Sequence, residues 1–245
     1  MSSSTPPERL SGAHPLPTEQ HAHPSELIGE TLLGLNDGIV TTLVFALSVA
    51  GASAGAYRSV IVAGLAEMCA GGVSMFLGGY TAARAVSEAY DYQVDVERHE
   101  IEHEPDEERH EVRRMYRDRG FEGRLLDAIV GHITADRERW LNVMVRDELG
   151  APPEEGPPAW QAGLAVGLAF MIGALIPVLP FLLHLPQAVV LAAVFSLAAL
   201  AITGAFRTRY SRKSAWRGAI ELVIVGVIGT AVGILIGGVL NRVPK

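Results

Sequence analysis

The sequence predicts an all-α integral membrane protein with five transmembrane helices and a cytoplasmic helical insert between spans two and three. Three observations carry this. Mean hydropathy is +0.26 and only 19% of the 245 residues are charged, a composition displaced toward membrane proteins. Five apolar runs are each long enough to cross a hydrocarbon core of ~30 Å: Thr31 to Ala56, Ser59 to about Val86, Ala162 to Leu183, Ala188 to Phe206 and Ala219 to Leu240. Of the 27 acidic residues, 20 fall between Glu88 and Glu155, so an acidic polar block interrupts an apolar chain. The formal charge of -7 belongs mainly to that block, which argues against nucleic acid as a partner and in favour of cations. No strand pattern and no solenoid repeat is present in the sequence.

In chain order, residues 1-25 read as a disordered tail. Met1 to Glu19 is rich in Ser, Pro, Thr and Glu and lacks the basic-then-apolar pattern of a cleaved signal. His14, His21 and His23, in or just after it, read as incidental, with a weak metal-capturing tail as the alternative. Residues 26-90 hold spans one and two, whose Gly34, Gly38, Gly64, Gly71, Gly72, Gly78 and Gly79 permit close helix contact in a membrane. Residues 91-155 form the acidic insert. Within it Pro105 divides one helix ending near His103 from another running to about Arg119, since proline suits the first turn of a helix and not its interior. Two short amphipathic helices follow, one with Leu125, Leu126, Ile129 and Val130, the next with Trp140, Val143, Met144 and Leu149; Gly120 and Gly150 suit helix ends. Ala151 to Pro158, APPEEGPP, reads as a stiff linker. Residues 156-245 hold spans three to five, with Pro177 and Pro180 expected to kink the third.

Arg207 to Arg217 carries five basic residues and the loop around His184 to Gln187 none. The positive-inside rule then puts the N-terminus, the insert and the Arg207 loop in the cytoplasm. A lone Cys69 excludes an intrachain disulfide, and the absence of a targeting segment with Arg favoured over Lys fits a bacterial plasma (inner) membrane.

Two groups of residues carry chemistry. Asp91 to Glu111 places ten carboxylates and three histidines in twenty-one positions, opposed only by Arg98 and Arg109. On one continuous helix Glu97, Glu100, Glu104, Glu108 and Glu111 share a stripe less than a quarter-turn wide. Met144 and Glu148 lie one helical turn apart in a neighbouring helix. Such a run is commonly a solvated acidic face; the ligand density here favours metal binding. In the spans, Asp37 and Glu67 are ionisable groups in apolar surroundings and hence functional candidates. Asp37 stands seven residues after Glu30 and eleven after Glu26, so the three acids share a helix face and form a ladder into the membrane. Met75 adds a thioether, which with carboxylates suits a transition metal better than Mg²⁺ or Ca²⁺. The plainer readings are core packing for Met75 and a capping role for Asp37.

These residues resemble the vacuolar iron transporter family of iron and manganese carriers. The likeness runs from Glu26 to Leu240 and is most specific at NDGIVTT (Asn36 to Thr42), at Ser74-Met75 and in the insert ending RDEL before Gly150. It implies five spans, a cytoplasmic metal-binding domain, and a homodimer in the lipid bilayer whose interface contains the pathway. It further implies export of Fe²⁺ or Mn²⁺ from the cytoplasm in exchange for protons, with no prosthetic group and no enzymatic reaction. By the same resemblance Glu26 and Glu30 correspond to the pathway entrance, Asp37 and Met75 to its middle with Glu67 beside them, and Glu97, Glu100, Glu108, Glu111, Met144 and Glu148 to the cytoplasmic metal site. The chain departs from the family pattern twice. Gly78-Gly79-Tyr80 lacks the acid of the Gly-Glu-aromatic pattern, and Met144-Val145 replaces the paired methionines of some members.

Two rival readings stand beside it. A membrane-anchored di-iron ferroxidase is suggested by Glu100-x-x-His103 and Glu107-x-x-His110, a spacing used by di-iron bundles. A metal sensor without flux leaves Asp37 and Glu67 without a role. The residues do not choose between iron and manganese.

Overall fold

The computed structural model describes residues 24-53, 56-150, 158-208 and 214-242. Residues 1-23 of the expected tail with their histidines, most of the Ala151 to Pro158 linker, and 209-213 of the basic loop lie outside the described residues.

Five helices are long and apolar enough to cross a membrane: α1 (Pro24–Ala52), α2 (Tyr57–His103), α6 (Ala159–Leu182), α7 (Ala188–Arg207) and α8 (Ala215–Leu240). Between α2 and α6 the insert adds α3 (Pro105–Asp118), α4 (Gly123–Thr134), α5 (Arg137–Met144) and a π-helical turn, Val145–Leu149. The described residues contain no strand. The protein is thus an all-helical integral membrane protein with five spans.

The expected division near residue 90 falls inside a helix, because α2 continues without a break for 47 residues. At ~1.5 Å per residue that is about 70 Å, more than twice a ~30 Å hydrocarbon core. Its first half is therefore span two and its second half the first helix of the insert. Of Gly78 and Gly79, which a soluble helix tolerates poorly, Gly79 lies against Gly163 of α6, whereas a Cβ at Gly78 would meet nothing. Pro105 stops α2 as expected and takes the first position of α3, where its missing N–H costs nothing. Asp106, Glu107 and Glu108 occupy the first turn of α3, favourably placed for its dipole. Gly120 and Gly150 have φ of +91° and +85°, a left-handed backbone that glycine adopts without a Cβ clash. Asp136 caps α5 by accepting the Arg139 amide at 2.8 Å. The insert closes around its own core of Ile101, Val112, Leu126, Val130, Ile133, Trp140 and Met144.

Within the bilayer α6 is the central helix, packed against α1, α2 and α7, while α8 packs on α1 and α7. It remains helical through Pro177 and Pro180, as spans can when neighbours satisfy the freed backbone groups. With no hydrophobic drive between helices in lipid, association rests on backbone proximity. Gly38 of α1 sits against the Phe170 carbonyl and Ala174 amide of α6, and Gly173 of α6 against the Leu35 carbonyl. A methyl group at either position falls far inside van der Waals contact. Gly38→Val is expected to lower unfolding stability in detergent by about 1–3 kcal/mol or more through overpacking, measured as loss of monodisperse protein on heating; Gly29→Ala, whose added Cβ meets nothing, should be silent.

Candidate metal sites

The first site begins with seven residues of α1, Asn36 to Thr42. Each polar side chain among them has its own partner. Asn36 Oδ1 accepts the Thr203 hydroxyl of α7 at 2.7 Å, and Asp37 Oδ1 accepts the Thr41 hydroxyl at 3.1 Å. The fully buried Thr42 donates to the Glu67 carboxylate of α2, and Gly38 seats α1 on α6. The motif therefore fixes α1 against three other spans while leaving one carboxylate, Asp37, on the outer face of its helix with Thr41, Leu33 and Phe45, all exposed. Asp37 is near enough to Glu67 for their charges to interact.

The Thr42–Glu67 bond also fixes the register of two antiparallel spans. Measured from it along the helix axes toward the insert at ~1.5 Å per residue, Asp37 lies about 7.5 Å away, Met75 about 12 Å, Glu30 about 18 Å and Glu26 about 24 Å. Asp37 and Met75 are thus at similar depth, whereas Glu67 lies deeper toward the far side. Met75 and Glu67 are too far apart along α2 to hold one ion together. Glu30 is exposed, Met75 half-buried, and Glu26 lies in the first turn of α1. The five residues form a succession of positions and not a single coordination sphere.

The second site lies where α2, α3 and the π turn meet. Glu97 of α2 and Glu108 of α3 are only 6% and 5% exposed, and one carboxylate oxygen of each, Oε2, is buried without a hydrogen-bond partner. Burial first, and then the charges of Glu148, Glu108, Glu100 and Glu111, push Glu97 up to about 7. Glu108 is pushed up to about 7 by burial, then by Glu111, Glu100, Glu148 and Glu104. Six carboxylates consequently act on one another. Glu100 and Glu111 are half-buried, Glu104 and Glu148 exposed, and Glu111 is also paired with Arg114. Met144 is fully buried against the same helices.

The expected set Glu97, Glu100, Glu108, Glu111, Met144 and Glu148 is therefore brought to one region of the insert. Glu104, placed on the acidic stripe but not among its ligands, joins it; the Glu100, Glu104, Glu108 spacing was the signal. Among the described residues no three His, Cys, Asp or Glu side chains converge closely enough to hold an ion as they stand. Like charges at this density repel, and two buried orphan oxygens are what a cation would satisfy. Met144 and Glu148 are not separated by an ordinary α-helical turn, because Val145–Leu149 is π-helical. A π turn carries an extra residue per hydrogen-bonded loop and shifts the side chains after it. Its Asp147, 18% exposed in the side chain, is held by Arg119 at 2.6 Å, tying the π turn to the end of α3.

The two Glu-x-x-His motifs do not assemble. The His103 ring bonds the His99 carbonyl and stacks on His99, and His110 is exposed on α3.

Fold and sites together define a polytopic helical membrane protein with one acidic centre in its spans and another in its insert. Residues 28–238 match the VIT family, and the chain belongs to it. It is 31% identical over 227 residues to vacuolar iron transporter 1 of Arabidopsis thaliana, covering 92% of this chain and 90% of that protein. Vacuolar iron transporter 1 of Oryza sativa subsp. japonica is 31% identical over 215 residues, with 87% and 85% covered. That of Eucalyptus grandis is 29% identical over 216 residues, with 87% and 86% covered.

Proposed function

We propose that the protein is a divalent transition-metal transporter, carrying Fe²⁺ or Mn²⁺ out of the cytoplasm in exchange for protons, with the insert on the cytoplasmic side. The observation that carries this reading is that two sets of carboxylates are joined by one helix: α2 bears Glu97 and Glu100 at its insert end and Glu67 inside the span. Its membership of the VIT family and the names of its relatives, vacuolar iron transporters, point the same way. The basic residues around Arg207 supply the orientation, and a bacterial plasma membrane remains the compartment we favour.

The chemistry follows from competition at oxygen. A carboxylate holding a proton does not hold a metal ion as well, so loading releases protons and protonation releases metal. Glu97 and Glu108, both pushed up to about 7 by burial and neighbouring carboxylates, hold protons near neutral pH that a divalent ion displaces, each proton released offsetting one of the ion's two charges. Metal captured by the insert passes to Glu26 and Glu30, then to the depth shared by Asp37 and Met75, then to Glu67. Protons from the far side return along the same oxygens. No prosthetic group takes part.

An exposed Asp37 in a span also supports a homodimer. A carboxylate facing hydrocarbon costs about 2.5–3.5 kcal/mol on insertion scales, and a second copy laid against the outer faces of α1 and α2 encloses it in a polar path. The first experiment is flux into proteoliposomes of the purified protein, with Fe²⁺ and Mn²⁺ compared. Uptake should rise with an imposed acid interior. Absence of uptake in sealed, correctly oriented vesicles would overturn the carrier reading.

A further inference from the structure

We propose that His99 and His103 form a separate cation site on the flank of the insert, a two-imidazole chelate for a late first-row divalent ion such as Ni²⁺, Cu²⁺ or Zn²⁺. Histidines four residues apart on a helix project from one side, the spacing by which two imidazoles reach one metal. Here the two rings are neighbours, stacked with centroids 3.9 Å apart and planes 29° apart; lone pairs in near-parallel planes do not meet, so the chelate closes when the exposed His99 ring turns about its side-chain bonds onto the ion held by His103. Both residues are exposed, so an ion reaches them without any opening of the fold.

The hydrogen bonding fixes which nitrogen is free. His103 Nδ1 lies 2.9 Å from the His99 carbonyl oxygen. A carbonyl oxygen only accepts, so Nδ1 carries the proton and donates, and Nε2 is left with its lone pair outward. Metal-ligating histidines are commonly held this way, the other ring nitrogen donating to a backbone carbonyl. The pair lies roughly 60–100° around α2 from Glu100, on the side away from Glu97. It is therefore distinct from the carboxylate cluster. Two of the neighbouring acids are already engaged, Asp95 by Arg98 at 2.5 Å and Glu102 by Arg137 at 3.4 Å. The remaining coordination positions fall to water, which makes the site exchangeable.

Its selectivity for late first-row ions is steeper than that of the cluster. Imidazole nitrogen binds Ni²⁺, Cu²⁺ and Zn²⁺ more tightly than Mn²⁺ or Fe²⁺, whereas an all-oxygen set with one thioether offers them less advantage. The insert accordingly presents two faces that sort ions by donor type. An ion on the histidine face sits beside Glu100 and adds positive charge to the mouth of the acidic cluster.

The test is Cu²⁺ electron paramagnetic resonance on the full chain in detergent, with Ni²⁺ calorimetry on the same samples. The wild-type protein should bind one Cu²⁺ with hyperfine structure from two imidazole nitrogens. H99A and H103A, each a change at an exposed helix position, should each remove that two-nitrogen signature and one calorimetric Ni²⁺ equivalent. The signature should persist in E97Q/E108Q and in a variant with His14, His21 and His23 replaced by alanine. Persistence in H99A/H103A, or loss in either of the other two variants, would overturn the proposal.

Discussion

Asp37→Asn is expected to reduce metal flux in proteoliposomes to background while leaving metal binding by the insert unchanged. Asparagine keeps the shape of the side chain and an oxygen that can still accept the Thr41 hydroxyl, so the Asn36 to Thr42 packing against α2, α6 and α7 survives. What disappears is the carboxylate that α1 places near the depth of Met75. A neutral amide oxygen cannot offset the loss of hydration of a divalent ion, and it cannot exchange a proton for metal. The pathway between Glu30 and Glu67, about 18 Å along α1 by helical rise, is then without a charged relay. Equal flux in variant and wild type would remove Asp37 from the pathway and leave it as a local partner of Thr41. Thermal unfolding of the variant, expected to match the wild type, separates lost transport from lost protein.

The second large effect belongs to Glu97 and Glu108 together. In the unfolded chain both titrate near 4.5, in the folded insert near 7. Between those values the folded state binds more protons, so stability falls as pH rises from about 4.5 to 7 and changes little from this source above it. The loss is on the order of a few kcal/mol for groups this deeply buried. Without metal the insert should therefore melt at lower temperature at pH 8 than at pH 5, followed by the fluorescence of Trp140 in its core. Fe²⁺ or Mn²⁺ should raise the melting temperature most at pH 8, where metal meets no competing proton. E97Q/E108Q should melt at nearly the same temperature across this range and gain little from metal. A wild-type insert whose melting ignores pH and metal alike would mean that the acidic face is only solvated.

Much of this was legible because the signals are local. Five apolar runs of spanning length gave five spans, Pro105 marked a helix start wherever the chain continued, and Gly120 and Gly150 marked reversals through their backbone freedom. The region of the insert site was legible too, since acids at three- and four-residue intervals mark one face on each side of Pro105; that Glu97 and Glu100 of α2 meet Glu108 and Glu111 of α3 depends on how the two helices pack. Other features depend on partners distant in sequence. Thr42 looks like an ordinary residue of an apolar helix until Glu67 is seen to face it across twenty-five positions. The unequal depths of Glu67 and Met75 follow from that register, which neither helix encodes alone. The continuity of α2 past residue 90 was hidden because the hydropathy changes there and the helix does not. The π turn at Val145–Leu149 is stabilised partly by Arg119 reaching Asp147 from another helix, and has no signature in VRDEL itself.

That unbroken α2 makes it a lever. Glu67 and Glu97 are separated by ~45 Å of helix without a hinge, so a pivot of about 10° at Glu67 carries the Glu97 end through roughly 8 Å. Under the proposed transport, drawing α2 toward α3 around a cation and tilting span two inside the bilayer would be one mechanical event, and small movements beside Glu67 would be magnified at the insert.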